Sequence, residues 1–254
     1  MGMKMPSTET CVVVGATGAM GSVITERLAR TGYRVAAVAR SADELEKLAT
    51  SSDRIVPCVA DIGSDDAVDT IRSSLAGPVR LALFAAGLPV RGSADSIEPS
   101  ALALAANIKV AGTVRLLHAV RDHLRNGSSF VAIAGSLGAE PGPLDAGPGT
   151  ANAALFNLMR QISKLYGPKG VVTHTIAPGP IDTPRLRSLV ETQAGESGRS
   201  VDDVWADYRA KTSLGRLPTL DEIAWLVETL LAPEAAVLHG ATLAADGGVR
   251  HSLL

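Results

Sequence analysis

Three glycines spaced three apart, Gly15, Gly18 and Gly21 in VVVGATGAMG, stand between an apolar, strand-like run and a helical one. Such a turn lets backbone approach a pyrophosphate while the helix N-terminus behind it presents oriented N–H groups. A tight strand-to-helix turn needs glycines in any case, and it is the strand-to-helix context that gives them a dinucleotide reading. The second strand-like run, RVAAVA, leads into Arg40 and Ser41, where NAD-selective sites usually carry an acid for the ribose 2′-OH. A guanidinium forms a charge-assisted bond with a 2′-phosphate that a carboxylate would repel, so NADP(H) is the expected cofactor and NAD(H) the weaker alternative.

A chemically quiet stretch stands in contrast. None of the nine side chains of GPGTANAAL, residues 147–155, exchanges a proton near neutral pH, although the stretch lies between a strand-like run ending at Ser136 and another ending in Pro178-Gly179. The nearest titratable side chains are Glu140 and Asp145. Other chemistries find little support. His118 and His123, five apart, do not share a helical face, and HExxH and GxSxG are absent. Cys11 and Cys58 occupy apolar runs without CxxC spacing, so buried thiols are expected and no metal site. His174, in a strand-like run, reads as a core imidazole.

The elements that must position these groups alternate. Apolar strand-like runs at 11–14, 34–39, 54–60, 80–87, 128–136 and 171–179 are separated by helical patterns, including a long one from Pro99 to Leu124. Strands apolar along their whole length are buried on both faces, as in a parallel sheet flanked by helices. A chain of 254 residues with 46% hydrophobic content suits one such unit. The expectation is a single α/β domain over 1–254, a doubly wound, mostly parallel Rossmann-type sheet. Residues 184–216, after the sixth strand, would form a substrate lid containing the irregular insert ETQAGESGRSVDD, with Trp205 and Tyr208 on its apolar underside.

The net charge of −2, with basic residues dispersed, argues against nucleic acid and anionic membranes as partners. No uninterrupted apolar run approaches a membrane span. The start, MGMKMPSTET, lacks an apolar signal region, and Pro6 stands where a myristoylation signal would want Ser or Thr. A cytoplasmic protein acting on a small molecule is expected.

Over nearly the whole chain these residues resemble the short-chain dehydrogenase/reductase family. The likeness rests on the glycine turn, Asp61 in VADIG, Asn107 in AANIKVAG, Ser136 in IAGSLG, Pro178, Gly179 and Thr183 in APGPIDT, and DGG at 246–248. It implies a cofactor site built from Gly15, Thr17, Gly18, Met20, Gly21, Arg40, Ser41, Asp61, Ile62, Ala85, Ala86, Gly87, Pro178, Gly179, Ile181 and Thr183. It also implies a homodimer or homotetramer joined through the helices at 99–124 and 152–165. FAAG at 84–87 replaces the family's Asn-Asn-Ala-Gly, and its Tyr-x-x-x-Lys pair is missing: the residues four after Tyr33, Tyr166 and Tyr208 are Ala37, Gly170 and Thr212. Alignment places the pair's positions at Pro148 and Asn152, or at Gly149 and Ala153. Ser136, Asn107 and Asp145 are the remaining catalytic candidates: Ser136 to polarise a carbonyl, Asn107 to hold a relay water, Asp145 to stand in as acid. The reading is an atypical NADP(H)-dependent oxidoreductase for a carbonyl or alcohol. A silent nucleotide-binding protein or partner subunit, and a lyase or isomerase on the same fold, are the alternatives.

Overall fold

The computed structural model describes residues 9–88 and 90–251; the N-terminal segment read above for targeting signals lies, up to residue 8, outside the described residues. Seven parallel strands form one sheet in the order β3-β2-β1-β4-β5-β6-β7. They are β1 (Thr10–Val14), β2 (Arg34–Ala39), β3 (Ile55–Val59), β4 (Val79–Phe84), β5 (Leu124–Ile133), β6 (Val172–Pro178) and β7 (Thr242–Ala245). The expected doubly wound sheet is thus present, with the strand order reversing between β1 and β4, where ligands bind in such folds.

The continuous apolarity of the strands has a direct structural reason. In β1, Val12 and Val14 enter the core on one face of the sheet with Ala36, Phe84 and Phe130. Cys11 and Val13 enter the core on the other face with Val35, Leu83 and Ile176. Successive side chains point to opposite faces, and both faces are covered. Each fully buried Phe, Leu or Ile contributes about 1.5–3 kcal/mol of transfer free energy.

The covering helices are α1 (Ala19–Arg30), α2 (Ala42–Ala49), α3 (Ala67–Ser73), α4 (Pro99–Ala106), α5 (Gly112–Val120), α6 (Ala146–Tyr166), α7 (Pro184–Ser197), α8 (Val201–Ala210) and α9 (Leu220–Thr229). The long helix expected from Pro99 departs from expectation twice. A π-turn, Asn107–Ala111, separates α4 from α5, and the helix stops at Val120, so that β5 begins at Leu124. The run Pro99–Val120 has 22 residues and a mean hydropathy of 1.3, enough by length and composition alone to cross a membrane, but Lys109, Arg115 and His118 interrupt its apolar stretch. In the fold this run carries Ala105, Ile108, Leu116 and Val120 into the buried core.

The segment 191–203 is also not irregular. It completes α7, ends it at Gly198 with φ +66, and enters α8 through Ser200, whose hydroxyl accepts from Asp203 N–H. Leu186, Val190, Ala194 and Val204 form a small core of their own, packed by Trp205, Tyr208 and Leu217. The region after β6 is therefore a helical pair with its own hydrophobic centre. Cys11 and Cys58 are buried free thiols, and His174 is 1% exposed with Nε2 at 3.1 Å from the Ala235 carbonyl.

Candidate cofactor cleft and active site

The glycine turn is built by close approach. Gly15 leaves β1 with φ +84 and donates its N–H to Val38 O at 2.9 Å. A β-carbon there would stand 2.8 Å from Ala86 N and 2.9 Å from Ala85 C. One on Gly21 would overlap the carbonyl oxygen of Gly15. These two glycines thus let the loop after β4 and the first helix close on the turn. Gly18 differs: it is the exposed N-cap of α1, without a side-chain cap bond and with no acid in the helix's first turn. The unpaired N–H groups of α1 are thereby available to an anion. Thr17 and Met20, both part-buried, flank it.

Because Gly15 hangs from Val38 in β2, the end of that strand is fixed beside the turn. Arg40 follows β2, exposed and without an ion pair or hydrogen bond among the described residues. The Ser41 hydroxyl is occupied as the N-cap of α2, accepting from Glu44 N–H at 3.3 Å.

The loop after β3 is tied to the π-turn. Asp61 Oδ1 accepts from Gly63 N–H at 2.9 Å, and the next residue, Ile62, is buried. Asn107 Nδ2 donates to Gly63 O at 2.9 Å, and its Oδ1 accepts from Arg115 Nη2 at 3.0 Å. Both ends of the Asn107 amide therefore serve this junction. Past β4, Ala85 and Ala86 are part-buried and Gly87 is exposed. Here the structure adds a residue that sequence reading missed: Lys109 Nζ lies 3.7 Å from the β-carbon position of Gly87. Burial, and secondarily the charge of Arg185, pull its pKa down to about 8. The available signal was a lone cation within AANIKVAG.

Ser136 is 9% exposed and opens the short 3₁₀ turn Ser136–Gly138 beyond β5. α6 packs directly on this exit. A β-carbon on Gly138 would lie 2.6 Å from Phe156 Cε2 and 2.7 Å from Asn152 Cβ. Asn152 is buried and Ala153 exposed, so of the two candidate Lys positions Asn152 is the one that faces the strand end, while at the head of the helix Gly149 is buried and Pro148 part-buried. Pro148 lies in the first turn of α6, where an N–H would have no intrahelical partner. Asp145 precedes the helix; its Oδ2 accepts from Gly142 N–H at 2.9 Å, folding the carboxylate onto its own loop. Gly92 bonds Leu144 O and Ala146 N–H, each at 3.1 Å, joining the post-β4 loop to the head of α6.

At the end of β6, Gly179 makes room for the DGG segment: a β-carbon would stand 2.9 Å from Asp246 Cβ. Ile181 is buried, and Thr183 caps α7 by accepting from Leu186 N–H at 3.3 Å. Pro178 ends β6. The fold therefore brings the predicted cofactor residues to the carboxyl edge of the sheet. Ser136 and the head of α6 lie on its β5 side, and Asn107 lies toward β3. A cavity of about 780 Å³ lined by Arg80, Asn126, Lys164, Gly170 and His239 opens instead at the amino-terminal edge, away from these residues.

A family model described as enoyl-(acyl carrier protein) reductase matches residues 15–250. Protein MoaE of Klebsiella aerogenes is 38% identical over 119 residues, which span 47% of this chain and 46% of that protein. The short-chain reductase protein NovJ of Streptomyces niveus is 26% identical over 93% of this chain and 92% of its own. Among solved structures, L-sorbose reductase from Gluconobacter frateurii, complexed with NADPH and L-sorbose, superposes with a TM-score of 0.89 at 20% identity, covering 98% of each chain.

Proposed function

The chain belongs to the short-chain dehydrogenase/reductase family, and on that premise we propose that it binds NADP(H) and interconverts a carbonyl and an alcohol without a Tyr-Lys pair on α6. The observation that carries this reading is the cradle at β1. Gly15 and Gly21 leave no space for a β-carbon, Gly18 holds the N-terminus of α1 open, and Arg40 stands unpaired after β2. In this reading α1 and Gly18 receive the pyrophosphate and Arg40 receives the 2′-phosphate. Ala85, Ala86, Gly87, Pro178, Gly179, Ile181 and Thr183 line the remainder of the cleft. The cofactor supplies or accepts a hydride. Ser136 donates a hydrogen bond to the substrate oxygen, α6 offers no proton, and the proton that completes the alcohol is taken from solvent water, or returned to it in the reverse direction. Losing a general acid costs about 10²- to 10⁴-fold in rate, roughly 3 to 5.5 kcal/mol of barrier, so turnover is slow rather than forbidden. That the Gluconobacter reductase is complexed with NADPH supports the choice of cofactor.

A second reading, a silent nucleotide-binding protein, is favoured by the proton-inert head of α6. Fluorescence titration with NADPH and NADH, followed by turnover on a panel of ketones and quinones, separates the two. Tight NADPH binding with measurable turnover that falls in Ser136→Ala supports the enzyme, whereas binding without turnover supports the silent protein. Turnover without nucleotide would overturn both in favour of a lyase or isomerase. Self-association through α4 and α6 belongs to the same proposal, supported by the exposed Ala103, Leu104 and Ala106 on α4 and Ala153 and Ala154 on α6.

A further inference from the structure

Three cations converge on the carboxyl ends of β4 and β6, and among the described residues none has an ion-pair or hydrogen-bond partner for its side chain. Lys109 stands on the π-turn with Nζ against Gly87. Arg185 is in the first turn of α7, two residues after Thr183, and its charge acts on Lys109. Arg91 acts in turn on Arg185 and adjoins Gly92, whose backbone is bonded to the head of α6. Three separate segments thus bring positive charge to one region. The carboxylates of Asp182, Asp145 and Asp61 on the neighbouring segments make their hydrogen bonds to other groups than these three cations. Asp182 takes both guanidinium bonds of Arg187, at 2.7 and 3.1 Å, and Asp145 and Asp61 accept from Gly142 and Gly63. Like charges held together with one of them half-buried are unfavourable unless an anion completes the group.

We propose that Lys109, Arg185 and Arg91 form an oxyanion-binding subsite, so that the substrate is an acidic carbonyl or alcohol compound carrying a carboxylate or phosphate. This deepens the oxidoreductase reading and rests on it for the reacting group. Two guanidinium forks pair a planar carboxylate or a phosphate, and the ammonium adds a compact charge. The cofactor's own phosphates are accounted for on the β1–β2 side by Gly18, the N-terminus of α1 and Arg40, whereas the three cations lie on the β4–β6 side.

The test uses inorganic phosphate and oxalate as probes, titrated calorimetrically into the full-length protein with and without saturating NADP+. Both probes should bind under both conditions. Arg185→Met and Arg91→Met should each weaken binding at least about tenfold, as should Lys109→Met, and Lys109→Arg should retain it. NADP+ affinity should stay within about threefold of wild type in the two arginine variants. Probe affinity unchanged in the two arginine variants, which sit on exposed positions and do not depend on how Lys109→Met folds, overturns the subsite. Displacement of the probes by NADP+ assigns the cations to the cofactor and overturns it equally. Failure of the cofactor reading is distinct: no NADPH binding, with probe binding intact and still lost in the variants.

Discussion

Asn152 lays its side-chain amide over Gly135, so that a β-carbon on Gly135 would stand 2.8 Å from Asn152 Nδ2. The contact fixes which face of α6 meets the exit of β5, and Pro148, one turn earlier, shares that face. Restoring a phenol and an amine through Pro148→Tyr with Asn152→Lys should therefore raise carbonyl turnover, up to about 10²-fold, the low end of general-acid contributions. Gly149→Tyr with Ala153→Lys should not. Ala153 is exposed, and a β-carbon on Gly149 already meets Pro141 Cβ at 3.2 Å and Leu137 O at 3.3 Å. Steady-state assays of both double variants decide this. A larger gain from the second pair would show that α6 is read in the wrong register.

The sheet was legible because the central strands carry continuous apolar stretches, CVVV in β1, LALF in β4 and FVAI in β5, a pattern that burial on both faces explains. The glycine turn was legible because close packing leaves few residue types possible at Gly15 and Gly21. The π-turn at Asn107–Ala111 was not, since a single i→i+5 step leaves the apolar periodicity almost unchanged. Lys109 stayed hidden with it, because the direction of its side chain depends on that step. The helices α7 and α8 were obscured by Gly195 and Gly198, although Leu186, Val190 and Ala194 repeat at four residues and Gly198 and Ser200 are a C-terminal stop and an N-cap. What Ser136, Asn107 and Asp145 could do also depended on partners that sequence spacing does not show. The Asn107 amide is committed to Gly63 and Arg115.

Gly21→Ala and Gly18→Ala should separate fold from cofactor binding. The first places a methyl group onto the Gly15 carbonyl and should destabilise by at least about 1–3 kcal/mol, the usual cost of overpacking. Gly18→Ala meets only Gly15 O at 3.3 Å and should fold with near-native stability while binding NADPH more weakly. Thermal denaturation and nucleotide titration of both proteins check this, and equal stability would mean that α1 does not pack directly on the Gly15 carbonyl.

Arg40→Ala should leave stability within about 0.5 kcal/mol, as surface substitutions without partners do, because its side chain makes no ion pair or hydrogen bond among the described residues. Its effect should fall on NADPH, with NADH affinity almost unchanged. Titrating both nucleotides gives the answer, and a preserved preference for NADPH would assign the 2′-phosphate to another cation.

Ala154→Glu should shift a self-associated protein toward monomer without unfolding it. Ala154 is exposed on α6, so a carboxylate there costs little within one chain but places like charges together across a two-fold contact. Sedimentation velocity of both proteins at micromolar concentration measures the change. A wild-type monomer would remove the α4–α6 interface from the proposal.

Lys109→Met should stabilise the protein at neutral pH. The folded-state pKa of Lys109 is depressed from 10.5 to about 8, by burial first and by Arg185 second. Below pH 8 the ammonium is charged in both states, and its unfavourable placement is carried in full. Between pH 8 and 10.5 the unfolded chain binds more protons than the folded one, so wild-type stability rises with pH across that window. A shift of this size corresponds to on the order of 3 kcal/mol, reduced to about 1–2 kcal/mol because the half-buried side chain retains contact with water. The variant, with no charge to desolvate, should gain about that amount at pH 7, or about 2–4 °C in melting temperature per kcal/mol, and should lose the rise above pH 8. Saturating phosphate should raise the wild-type midpoint and leave the variant's nearly unchanged, since a ligand stabilises only the protein that binds it. Denaturant melts from pH 7 to 10 test the sign. A variant less stable than wild type at pH 7, with the alkaline rise intact, would mean that Lys109 already has a counter-charge and that the three cations are not waiting for an anion.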